Sequence, residues 1–337
     1  MLRFLILAFF SVACSIGGIK SGGEAPYLYD HTKTYSSSEL RDLSSKVIES
    51  SLREPPFGRL EKLFGPGQKP LKKIGIVVFE SEIQPTRSGL SGPNLIYLNE
   101  AGKQLLTDGM YRTWADAFGI LSPEIEVISK AILKKSQAFR SYGSKEKDYI
   151  LSNRKALAPD DIFFLKIGKT TTTKTIMNPR GMQDVSFLLV PGHELMRGPK
   201  FSEHNKHFIN DLSRELGLDA LIIVKSDLSW SVAHDDKHSG ESVPDAILIN
   251  LESSILIPFH SYHERLKKSG STEESRVSIC LRSYQGRLQL PISLSKLEDE
   301  QTYAMIENRL LLPMMKSYTD LTQMMIVQIS TDLKKTW

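Results

Sequence analysis

Apolar residues along this chain fall into two spacings. Continuous runs read as strands buried on both faces. They are Ile74-Gly75-Ile76-Val77-Val78-Phe79, Ile162 to Ile167, Val185 to Val190 and Asp219 to Val224. Further strand-like runs cover Ala246 to Pro258, Arg276 to Tyr284 and Arg287 to Leu294. The helical spacing appears first at Leu40, Leu43 and Val47, behind an N-cap offered by Ser36-Ser37-Ser38. It recurs at Leu106, Met110, Trp114 and Ala117, predicting a helix from about Asn99 to Phe118, and at Phe208, Ile209, Leu212 and Leu216, with Gly217 as the C′ residue. Pro123 is expected to start a helix carrying Ile125, Ile128, Ile132 and Leu133, and Lys145 to Leu157 a short polar one. A long helical stretch runs from about Glu298 to Lys334, interrupted near Pro313.

Turn formers divide these elements. Pro55-Pro56 stops the first helix, and Ser81 to Pro93 forms a Gly, Ser and Pro-rich loop after the first buried strand. Gln285-Gly286 reads as the turn of a hairpin joining the last two strands. Helices alternate with buried strands early, and antiparallel-looking strands gather late. The expected fold class is α/β: a mixed sheet flanked by helices, in a single main domain over residues 36–337.

Residues 1–13 read as a signal peptide. Arg3 supplies the charged region, Phe4 to Phe10 the apolar one, and Ser11-Val12-Ala13 the small residues before Cys14. The apolar run is too short to span a bilayer, which takes about 20 residues. Ser15 to Glu24 (SIGGIKSGGE) then reads as part of a flexible tether over 14–35.

Composition changes this picture little. An apolar share of 40% and a charged share of 24% suit a soluble globular domain. The formal charge is +4, and processing that removes Arg3 lowers it by one, which makes no case for nucleic acid. Cys14 and Cys280 are the two cysteines. With Cys14 acylated, Cys280 has no partner in the chain, and its apolar run suggests a small buried hydrophobe.

The small residues directly before Cys14 resemble the lipobox of bacterial lipoproteins, with Ser11 where that family usually has Leu. The resemblance implies a diacylated Cys14 thiol, a cut before it and an acylated new amine. Three acyl chains hold a protein firmly to a membrane. Ser15 lacks the Asp that retains some such proteins at the inner membrane, which favours the outer membrane. The mature chain resembles the penicillin-binding-protein activator (LpoB) lipoproteins and the CsgG-type curli-secretion lipoproteins. TYSSSELRDLSSKVIESSLREPP followed by KKIGIVVFESE is similar to the opening helix and buried strand of the activators. SRELGLDALIIVKSDLSWSV is similar to a helix, Gly, Asp-Ala, strand step, and ICLRSYQGRLQLPISL to a strand pair before a C-terminal helix. The chain departs where Ile176 to Ser202 is long and where Leu218 separates Gly217 from Asp219-Ala220. The resemblance implies a non-enzymatic accessory lipoprotein with an envelope protein as partner and homo-oligomers as a further option. It carries over no interface residue. A surface-exposed lipoprotein that binds external ligands is the alternative within binding proteins.

Motifs for chemistry are few. Gly168-Lys169-Thr170 ends like a phosphate-binding loop, but Phe163 stands where that loop needs Gly. His204 and His207, then His234, Asp235, Asp236 and His238, have the residue types of a metal-dependent hydrolase, the rival from another class. Polar helix starts and solvated turns are the simpler reading of them, as of His260 and His263; His193-Glu194 lacks the second His of a zinc helix. Asp160-Asp161 reads as a polar turn and Glu298-Asp299-Glu300 as an acidic helix start. No cofactor and no metal are expected. Met314, Met315, Met324 and Met325 are core filling or, where exposed, a contact surface.

Overall fold

A computed structural model describes residues 29–52, 70–83, 100–141, 176–182, 203–234, 242–258, 279–291 and 311–334. At its centre lies β2 (Lys73–Ile83), hydrogen-bonded in parallel to β5 (Ala220–His234). Beyond β5 the sheet continues antiparallel through β6 (Ser242–Ile257), β7 (Ile279–Pro291) and β1 (Ile48–Leu52). On the other side of β2, β3 (Glu126–Val127) pairs in parallel with its start, and β4 (Ile176–Met177) antiparallel with its end. The fold is thus the expected α/β arrangement, with an open mixed sheet between helices.

One face, here the inner face, carries three helices: α1 (Ser37–Val47), α2 (Glu100–Leu121) and α5 (Leu312–Lys334). Their apolar stripes close over Ile74, Ile76, Phe79, Ile222, Val224, Ile249, Leu251 and Tyr284. α1 starts as its sequence demands. Ser36 Oγ accepts from the Glu39 amide, while the Ser36 amide donates to the Glu39 carboxylate, a reciprocal cap. The outer face carries α3 (Lys130–Lys135) and α4 (Glu203–Leu216), packed on Val77, Val78, Leu221, Ile223 and Leu256. At the end of α4, Gly217 takes a φ of +64°, the left-handed conformation expected at C′. Two residues later the Asp219 carboxylate accepts the backbone amides of Lys72 and Lys73 at 3.0 and 2.9 Å, tying the start of β5 to the start of β2.

Several expectations need correction. Pro123 starts no helix, and of the four expected helical positions only Ile132 and Leu133 lie in one, α3; Ile125 packs in the inner core and Ile128 in the outer one, the alternation of a strand. The Glu126 and Ile128 amides donate to Lys72 and Ile74 carbonyls, so pairing with the edge of β2 overrides helical spacing. The last two strands are one, because Gln285-Gly286 sits mid-strand in β7 with partners on both sides. Gly286 is required there for space, not for a turn. The first helix stops at Val47 and not at Pro55-Pro56, since Ile48 pairs with β7. The tether expected to reach residue 35 gives way at Tyr29, which is buried against α5. Met314, Met324 and Met325 are buried, and Met315 packs against them, so these methionines fill core. The expected strands at 162–167 and 185–190 and the helix at 145–157 lie outside the described residues.

Candidate functional site

In open α/β sheets, ligands bind beyond the carboxyl ends of parallel strands. Here that end belongs to β2 and β5, and its chemistry is set by one inserted residue. Ile74 and Ile76 face the inner helices, so strict alternation would turn Glu80 and Glu82 into the same apolar core. The β2–β5 register shifts between Ile76 and Val78, a bulge at Val77. After it Phe79, Ser81 and Ile83 face inward, Ser81 hydrogen-bonding Thr107 of α2, while Glu80 and Glu82 face outward.

Registers carry these acids across the sheet in two rows. One row places Glu80 beside Lys225, Glu252 and Gln285; the next places Glu82 beside Asp227, Asn250 and Arg287. Glu80 and Glu82 are each only 5% exposed, whereas Lys225, Asp227, Asn250 and Glu252 are half-buried and Arg287 is exposed. Asn250 Nδ2 donates to Asp227 Oδ2 at 3.3 Å. The strip begins where the apolar cover of α4 ends, at Ser254 and Ser283, whose hydroxyls hydrogen-bond each other. Its carboxylates each have partners within the chain, and with Lys225 and the exposed Arg287 they give the strip a mixed charge. It contains no nucleophile beside a base.

On the inner side of the same end, Tyr318 Oη accepts from Trp114 Nε1 at 3.2 Å and hydrogen-bonds Ser226. Asp108 accepts the Arg180 amide at 2.6 Å. The N-terminal segment docks here too. Tyr29 Oη donates to Asp320 at 2.6 Å, its ring stacks on Tyr35, and Lys316 Nζ donates to the carbonyls of Lys33 and His31. Burial, then the Asp320 hydrogen bond, pushes the Tyr29 phenol well above its ordinary range. The Lys33 ammonium and the Ser36 amide pull the exposed Glu39 carboxyl down to about 2.

Residues singled out by sequence are scattered or lie elsewhere. Cys14, Gly168-Lys169-Thr170, His193-Glu194, Asp160-Asp161, Asp235, Asp236, His238, His260, His263 and Glu298 to Glu300 lie outside the described residues. His204 lies in the first turn of α4, His207 opens its second, and His234 ends β5. The 14 residues of α4 span about 21 Å, and the 15 of β5 about 50 Å when extended, which sets His234 apart from the helix pair. Among the described residues, no three His, Cys, Asp or Glu side chains form a metal-holding group. Nor is any described helix long and apolar enough to cross a membrane. Cys280 lies in β7, paired with Leu256. The Glu80-Ser81-Glu82 strip escaped sequence reasoning, although two acids directly after an apolar run were a visible signal.

No protein-family model, curated protein or solved structure matches the chain.

Proposed function

We propose that this chain is a lipid-anchored bacterial envelope protein, cut before Cys14 and held by acyl chains on that residue. In this reading it is a non-enzymatic accessory to cell-wall synthesis or secretion machinery at the outer membrane. The observation that carries it is the layout of Met1 to Cys14: one basic residue, a short apolar run, small residues, then cysteine. A mixed α/β sheet between helices agrees with the fold of the accessory lipoproteins that the chain resembles. The accessible end of this strip, from Asn250 to Arg287, is the surface this reading assigns to the protein partner.

Palmitate labelling of cells producing the wild type or Cys14→Ala, with membrane fractionation of both, tests the anchor. Label and membrane association in the wild type, both lost in Cys14→Ala, are expected. A processed, unlabelled and soluble wild type would overturn the reading. For the partner surface, in-cell crosslinking from position 250 is expected to capture an envelope protein and to lose it in Arg287→Glu. Capture that survives that change would move the contact elsewhere.

A further inference from the structure

Among the described residues four large apolar side chains stand exposed: Leu105 at 73%, Ile120 at 72%, Ile132 at 46% and Leu312 at 55%. Two of them share one end of the molecule. α2 and α5 run parallel, since a Cβ on Gly109 would lie 3.8 Å from Met315 Cε, Trp114 bonds Tyr318, and Ser122 bonds Ser330. Leu105 lies one turn before Gly109, and Leu312 one turn before Met315. The two leucines therefore open the same end of the helix pair, with half-buried Leu311 and Met315 packed beneath. Ile120 is about 22 Å further along α2, and Ile132 lies across the sheet on α3.

The N-terminal segment reaches the domain at this end. Lys316, one turn after Leu312, holds the carbonyls of His31 and Lys33, and Asp320 holds Tyr29. Cys14 precedes Tyr29 by 15 residues, a span of at most about 50 Å even when extended. An acylated Cys14 thus keeps this end of the domain near the bilayer, at a high effective concentration of lipid surface. Among the described residues, ion pairs at this end join Lys316 with Asp320, Lys33 with Glu39 and Arg180 with Asp108. The attraction that Leu105 and Leu312 offer is apolar. Two leucines alone bind a membrane too weakly to hold a free protein, but suffice to orient one already tethered.

We propose that this end of the domain, through Leu105 and Leu312, rests on the lipid surface to which the chain is anchored. The proposal rests on the acylation of Cys14 inferred above. It fixes an orientation in which the ends of α2 and α5 that carry Leu105 and Leu312 face the lipid surface.

The full acylated chain carrying Leu312→Trp, reconstituted into phosphatidylcholine vesicles with and without brominated acyl chains, tests it, with Ile120→Trp as the control on the same helix pair. Flotation reports the anchor separately. The expected result is flotation of both variants, with bromolipid quenching of the indole added at position 312 but not at 120, unchanged by high salt. Adding Leu105→Asp should reduce that quenching while flotation persists. Flotation without quenching at position 312, or equal quenching at 312 and 120, overturns the proposal while the anchor stands. A chain that takes no label and does not float overturns the anchor and this orientation together.

Discussion

Gly286 and Ile48 stand opposite one another across β7 and β1, so close that a Cβ at position 286 would lie 2.6 Å from Ile48 Cδ1. Leu321 Cδ1 of α5 would be 2.9 Å away on the same side. This glycine lets α5 and β1 close over the sheet. Because both obstacles are side-chain ends that can rotate, Gly286→Ala should cost about 1 kcal/mol, while Gly286→Val should cost about 3 kcal/mol through overpacking. A turn glycine would behave differently, tolerating Asn better than Ala. Urea unfolding of the three variants checks both the size and the order of the effects.

The second expectation concerns alkali. Tyr29, Tyr111 and Tyr318 are buried, and burial is the leading cause raising all three phenols, Tyr111 to about 12. Each stays neutral in the folded chain after it has begun to ionise in the unfolded one near pH 10. The stabilisation from a raised pKa is whole below that pH and is lost as pH rises. With three phenols counting, stability should fall by about 4 kcal/mol per pH unit above about pH 10, until Tyr111 titrates in place. Unfolding midpoints measured upward from about pH 9 test this, and Tyr111→Phe should flatten the slope by about one third.

Asp332 of α5 is almost fully buried, paired with Arg282 at 2.7 Å and accepting from Tyr284 Oη at 2.6 Å. Asp332→Ala leaves the part-buried Arg282 cation without this carboxylate and should cost about 3–5 kcal/mol. Replacing both residues, as Arg282→Met with Asp332→Leu, should recover most of that loss. Calorimetry of the single and double variants separates the worth of the pair from the cost of orphaning one member.

Asp219 offers a smaller test. Its carboxylate caps two amides at the start of β2, so Asp219→Ala should cost about 1–3 kcal/mol. Hydrogen exchange should then rise first at Lys72 and Lys73. Exchange that rises only with global unfolding would mean that the strand start needs no cap.

Helices were legible where a capping residue and a one-sided apolar stripe coincided. Ser36 with Glu39, and Phe208 to Leu212 with Gly217, meet that condition. Pro123 to Ile128 does not. Its isoleucines satisfy a helical period, yet Ile125 and Ile128 enter different cores because the edge of β2 supplies backbone partners. Two acids after the apolar run of β2 were visible in the chain, but no local spacing marks the side of a sheet on which an acid emerges.

Local patterning alone accounts for the α/β class, the apolar runs of β2, β5 and β6, and the apolar faces of α1, α2, α4 and α5. Each of these is a local period that reports burial on one side or on both. Packing between distant elements sets the rest: the bulge at Val77 turns Glu80 and Glu82 away from the main core. Gln285 and Gly286 continue a strand instead of turning, and Tyr29 closes onto Asp320. A register shift or a close approach depends on the neighbouring element, which lies far away in the chain and leaves no periodic trace in it.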